Sequence, residues 1–186
     1  RLEQLIDGRD RWLRLCALSV IGTLGRVELL GLLRPCLDAD DDLARETARA
    51  AQWRLSASSR APTLSPDATI SLSLASSPGT VSPATPALAS VDGQISHGRG
   101  EPMPLSTIER VLLLKQSEIF GQIDGELLIP LATVAHEVVV TAGTPVIVQG
   151  EPGDSLYIIA VGQVSIVIDG VGVVATRSAG ASVGEM

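Results

Sequence analysis

The sequence predicts an α+β chain of several parts: a helical N-terminal piece, a linker, and an incomplete antiparallel β-roll with a helical lead-in. Three observations predict it. Apolar residues recur at helical spacing over residues 10–55. Composition shifts abruptly to Ser, Pro, Ala, Thr and Gly over 57–103. Beyond residue 136, short β-branched runs of about five residues alternate with glycine-centred turns. The expected divisions are therefore 1–56, 57–103 and 104–186.

The first helix is expected over 10–25, with Trp12, Leu13, Cys16, Ala17, Val20, Ile21 and Leu24 at i, i+3, i+4 spacing. Asp10 suits its N-cap and Gly25 its stop. A second helix is expected over 27–37. The acidic turn Asp38-Ala39-Asp40-Asp41-Asp42 then caps a third, 43–55, and complements its positive end. The first and third helices superpose at a shift of 31 residues: Asp10 falls on Asp41, Arg14 on Arg45, Ala17 on Ala48 and Leu24 on Leu55. With small alanines that permit close approach, this resembles a short HEAT-like repeat array, which implies a solenoid continuing upstream of Arg1. An ordinary helical hairpin followed by a helix is the plainer reading.

Residues 57–103 contain no aromatic residue and five charged ones. Such a composition buries too little apolar surface to offset its ordering entropy, so a flexible, disordered linker is expected. Within it, Ala68-Thr69-Ile70-Ser71-Leu72-Ser73-Leu74 alternates with period two, and a transient strand at an exposed edge is the most this predicts. Ser-Pro pairs at 65, 77 and 82 read as composition before they read as phosphorylation sites, and His97 as a solvated loop residue.

Order is expected again from Pro104. Ser106 with Glu109 three residues on is a capping-box pattern opening a helix to Gln116. Phe120 in the break 117–122 is expected to anchor into the core. Asp124 caps a helix over 125–135, which Pro130 kinks or ends early. His136 and Glu137 start the first strand as edge residues. Strands are then expected over 145–148, 156–161, 163–168 and 172–176, with Gly150-Glu151-Pro152-Gly153-Asp154 and Asp169-Gly170 as turns.

Ala142-Gly143, Gln149 through Ile159, Gly162-Gln163-Val164 and the closing Gly180…Val183-Gly184-Glu185-Met186 together resemble the cyclic-nucleotide-binding domain over residues 105–186. The resemblance implies a roll that holds cAMP or cGMP and a regulatory sensor in a larger signalling or membrane-associated protein. It implies that Glu185 binds the ribose hydroxyl, that Gly184 allows close approach, and that Val183 and Met186 line the pocket. A cyclic nucleotide presents an anion, a hydroxyl and a flat base, and the anion suits backbone N–H groups plus an arginine. The family's phosphate-contacting arginine lies downstream of the glutamate, beyond Met186, and Arg177 is not a substitute for it. Val183 stands where the family often has an aromatic. A fragment that begins at Arg1 and stops inside the motif is therefore expected to bind cyclic nucleotide weakly or not at all. Its unpaired strand edges are expected to make it self-associate.

Charge and composition bound the other classes. Net charge is −7, with nine basic and nine acidic residues in 1–56 but three and nine in 104–186, which disfavours a general nucleic-acid binder. Four aromatics supply no stacking platform. Cys16 and Cys36 read as reduced and buried, and with His97 and His136 distant they make no metal site. Neither a hydrolase triad nor a P-loop is present, and two scattered histidines do not make a cupin-like metal centre, so no enzyme is expected. Residues 12–33 are too interrupted by Arg14, Arg26, Glu28 and glycines to span a membrane. A cytoplasmic location is expected, with any membrane tether outside these residues, as in proteins that join such modules to a transporter-like region. The alternative function is a protein-interaction scaffold whose roll binds no ligand, working through its HEAT-like surface.

Overall fold

The computed structural model describes residues 2–58, the backbone of 68–75, and residues 104–184. They form an α+β architecture of two compact units. One comprises 2–58, 104–112 and 123–133, and the other 68–75, 113–122 and 134–184.

In the first unit, α1 (Leu2–Ile6) leads into α2 (Arg11–Leu24), a 3₁₀ turn (Val27–Leu29), α3 (Leu30–Leu37) and α4 (Asp42–Ser58). Asp10 caps α2: its Oδ1 accepts the Leu13 N–H at 3.0 Å. Gly25, left-handed at φ 65°, stops it, as a residue without a Cβ does at little cost. Asp41 does the same for α4, accepting the Leu43 N–H at 3.1 Å. The 31-residue correspondence extends to side chains that lock each helix start. Arg14 donates to the Gly8 carbonyl at 2.7 Å, and Arg45 to the Ala39 carbonyl at 2.6 Å. Asp41 also takes a two-pronged bond from Arg11, at 2.6 and 2.9 Å.

The core of this unit joins Leu15, Leu18, Ile21, Leu33, Ala44, Ala48, Ala51, Leu55 and Ile108. Of the seven apolar positions read at helical spacing in α2, only Ala17 and Ile21 are buried, whereas Leu13, Val20 and Leu24 face water. The helix has two opposed apolar faces. The one carrying Gly22 is the one chosen, because a Cβ there would lie 2.8 Å from the Ala51 Cα: the helices touch through their backbones.

Part of α5 (Thr107–Gln116) and the segment after Ile123 complete this unit. The capping box is realised in both directions: the Ser106 N–H donates to Glu109 Oε2 at 2.8 Å, and the Glu109 N–H to Ser106 Oγ at 3.4 Å. Glu46 of α4 adds a third acceptor, taking the Thr107 N–H at 2.7 Å. Arg54 of α4 pairs with the other oxygen of Glu109. Asp124 accepts the Glu126 N–H at 3.1 Å, opening a 3₁₀ turn (Glu126–Leu128) that passes into α6 (Ile129–Val134). The single helix expected over 125–135 is thus divided just before Pro130, which sits in the first turn of α6, where its missing N–H is least felt.

The second unit holds two antiparallel sheets. The larger has the order β2 (His136–Thr141), β1 (Ala68–Ala75), β3 (Ser155–Val161), β6 (Ser182–Val183). The smaller pairs β4 (Gln163–Ile168) with β5 (Gly172–Ser178). β1 departs from expectation. The alternating stretch inside the Ser- and Pro-rich region is not an edge visitor but a central strand, with Ile70 opposite Val139 on one side and Leu72 opposite Ile158 on the other. A period-two pattern needs only a neighbouring strand to become regular structure, and here it has two.

The strand expected over 145–148 is absent. That segment runs as bends between two turns, closed by Thr144 N–H to Thr141 O at 3.1 Å and Glu151 N–H to Val148 O at 3.2 Å. Pro145 has no N–H to give a ladder, and residues 145–148 have no strand partner among the described residues. Among the described residues of this unit, Tyr157, Ile158, Ile159, Val140, Leu113 and Leu114 are buried. Phe120, expected as an anchor, is only half-buried. The break around it is held by polar bonds instead, with Lys115 Nζ donating to the Gly121 carbonyl at 3.0 Å and Ser117 Oγ to the Leu114 carbonyl at 2.7 Å.

Candidate functional site

Of the four residues singled out from the sequence, Val183 and Gly184 are placed by the structure, while Glu185 and Met186 lie outside the described residues. Val183 sits in β6 opposite Tyr157 of β3, and Ser182 opposite Ile158. The approach to β6 is bonded to the same strand: Gly180 N–H donates to the Ile159 carbonyl at 2.8 Å, and Ile159 N–H to the Ala181 carbonyl at 3.0 Å. Residues 180–183 therefore lie along β3 as a short added strand.

Gly184 follows at φ 96°, a conformation that L side chains avoid. A Cβ there would lie 2.5 Å from the Ser155 carbonyl oxygen and 3.2 Å from Ile147 Cδ1. The close approach expected of Gly184 is made here to the protein's own backbone, at the first residue of β3. Ser155 in turn ends the Gly150–Asp154 turn, and its hydroxyl donates to Asp154 Oδ1 at 2.9 Å. The two halves of the motif read from the sequence, the 150–155 turn and the 180–184 segment, are thus in direct contact.

Beside them lies an open groove of about 340 Å³ lined by Gln116, Glu118, Arg177, Ala179, Gly180, Ala181 and Ser182. Arg177 is exposed in β5, opposite Val164, and shares the groove with the carboxylate of Glu118. Gln116 and Glu118 carry no sequence signal. What brings Gln116 there is Gly180, whose absent Cβ would otherwise stand 3.3 Å from Gln116 Oε1.

The polar cluster of the first unit, Glu46, Arg54, Ser106, Thr107 and Glu109, was not visible in the sequence because 61 residues separate Glu46 from Thr107. Its chemistry is absorbed by capping: the hydrogen bonds of Glu46 go to Thr107, and Glu109 divides its oxygens between Ser106 and Arg54. Cys36 is buried, whereas Cys16, expected to be buried, is only half-buried, and burial raises the thiol pKa of both, favouring the protonated form. Among the described residues, no group of three or more His, Cys, Asp or Glu could hold a metal ion, and no helix is long and apolar enough to cross a membrane. His136 is exposed at the start of β2, and His97 lies outside the described residues.

No family model, curated protein or solved structure matches the chain.

Proposed function

We propose that the second unit is a regulatory module for a cyclic nucleotide, cAMP or cGMP, and that the chain belongs to a sensor rather than an enzyme. The observation that carries this reading is the contact between Gly184 and Ser155, which joins the two sequence segments that resemble the cyclic-nucleotide-binding domain. On this reading the antiparallel sheets are part of a β-roll, and Glu185, next along the chain, accepts the ribose 2′-hydroxyl. Val183 and Met186 flank it, and backbone N–H groups meet the phosphodiester. The module works in the cytoplasm, and any membrane tether lies outside residues 1–186.

The test is calorimetric titration of cAMP and of cGMP, to millimolar concentration, into the chain and into Glu185→Ala. Weak saturable binding that disappears in the variant supports the proposal. Heat that Glu185→Ala leaves unchanged defeats it, and absence of heat from protein shown to be folded favours the second reading below.

A second reading is an interaction scaffold. It is supported by the repeated Asp caps and Arg-to-carbonyl bonds of α2 and α4, which recur at the 31-residue shift on which the HEAT-like resemblance rests. A chain that binds no nucleotide would place its function on that surface.

A further inference from the structure

Laying α2 on α4 at the shift that carries Asp10 onto Asp41 aligns more than the caps. Leu13, Val20 and Leu24 fall on Ala44, Ala51 and Leu55. In α4 these positions are buried at 0–2% exposure, and Ala51 lies against Gly22 of α2. In α2 the same positions are 46%, 41% and 49% exposed. So α4 presents to α2 the face that α2 itself leaves in water. In the other direction, Leu15, Leu18 and Gly22, the buried face of α2, fall on Glu46, Arg49 and Trp53. There the pattern ends: Arg49 and Trp53 are exposed, and Glu46 is bonded to Thr107. A stacked helical array shows this polarity, with one end polar and closed and the other apolar and open.

We propose that the outer face of α2, formed by Leu13, Val20 and Leu24 with the half-buried Cys16, is a docking surface. Its occupant is a further helix pair of the same 31-residue pattern, offering Leu-x-x-Leu-x-x-x-Gly as residues 15–22 do. The interface continues the α2–α4 interface by one repeat, with Leu13, Val20 and Leu24 on one helix meeting leucines and a glycine on the other. A second copy of this chain does not meet the requirement. Its own Leu15–Gly22 face is filled by α4, and the corresponding face of α4 is the polar one. This inference stands apart from the nucleotide proposal and survives its failure.

The experiment inserts one additional copy of residues 8–38 directly before Gly8 in the full chain. Circular dichroism then follows helix content and the thermal midpoint. The added repeat is expected to form helix and to raise the midpoint of the helical unit by about 5 °C, the effect of roughly 1 kcal/mol in a domain of this size. Val20→Glu in the original copy should cancel the rise, whereas the same substitution in the unduplicated chain should leave the midpoint nearly unchanged, because that side chain is half in water. An added repeat that forms no helix, a midpoint that does not rise, or a rise indifferent to Val20→Glu overturns the proposal. So does an unduplicated chain that sediments as a dimer and becomes monomeric with Val20→Glu, since the occupant is then a second copy.

Discussion

Replacing Gly22 by alanine sets two effects of known size against each other. Alanine in a helix interior is favoured over glycine by about 1 kcal/mol. Against that, the new Cβ would lie 2.8 Å from the Cα and 3.1 Å from the Cβ of Ala51. Neither atom belongs to a side chain that rotates away, so α2 and α4 must separate. Overpacking of this kind costs about 1–3 kcal/mol, and the separation also loosens Leu15, Leu18 and Leu55, all at most 1% exposed. The net expectation is destabilisation by up to about 2 kcal/mol.

Gly31 of α3 is the internal control. It is also helical, but a Cβ there meets nothing within 4 Å. Gly31→Ala should therefore keep the propensity gain and stabilise by up to about 1 kcal/mol. Trp12 and Trp53, the only tryptophans, both lie in this unit, so urea denaturation followed by their fluorescence reports on it alone. Opposite shifts of the two midpoints are expected. A Gly22→Ala protein at least as stable as the parent would refute the close-packed account of the α2–α4 contact.

Other outcomes follow from the caps and the turn glycines. The hydrogen bonds from Arg11 hold the Asp41 carboxyl below its ordinary pKa, so its stabilising effect is present above the unfolded aspartate value and is lost as pH falls through the lower folded value. Asp41→Ala should cost about 1–2 kcal/mol at neutral pH, mostly from the lost cap because Arg11 is half exposed. The gap to the parent should close in acid, and one that persists at pH 2 contradicts the assignment. Glu109→Ala removes half of the capping box and an ion-pair partner of the largely buried Arg54. A loss of about 2–3 kcal/mol is expected in the same urea assay, and one below 0.5 kcal/mol would show that Arg54 re-pairs freely. Gly184→Ala forces a Cβ onto the Ser155 carbonyl at positive φ, so hydrogen exchange of the Ile159 amide, which donates to Ala181, should accelerate; unchanged protection would mean that 180–184 does not depend on that approach.

Local signals in the sequence were the most legible. Asp10, Asp41, Ser106 with Glu109, and Asp124 all cap where their spacing placed them, because capping depends on residues within one turn. The strands flanking Gly162 and the Asp169-Gly170 turn lie where β-branched runs and turn chemistry put them. Choice of face was not legible. Leu13, Val20 and Leu24 are as apolar as Leu15 and Leu18, and only the close approach at Gly22 decides which set is covered. Pairing was not legible either. The 68–75 stretch carries a strand pattern in a linker-like composition, and nothing local tells that it runs between β2 and β3. For the candidate site, the contact of Gly184 with Ser155 joins segments about 30 residues apart, which no windowed pattern reports. The trace of it in the sequence was Gly184 itself, singled out through the family resemblance, and its positive φ is the structural counterpart.

The most direct test of the nucleotide reading is a residue-resolved one. Amide chemical shifts of the chain would be followed by nuclear magnetic resonance while cAMP is added to millimolar concentration. The account predicts shifts confined to residues 150–158 and 180–186, saturating together and absent in Glu185→Ala. Shifts that appear elsewhere, or that remain in Glu185→Ala, would contradict it.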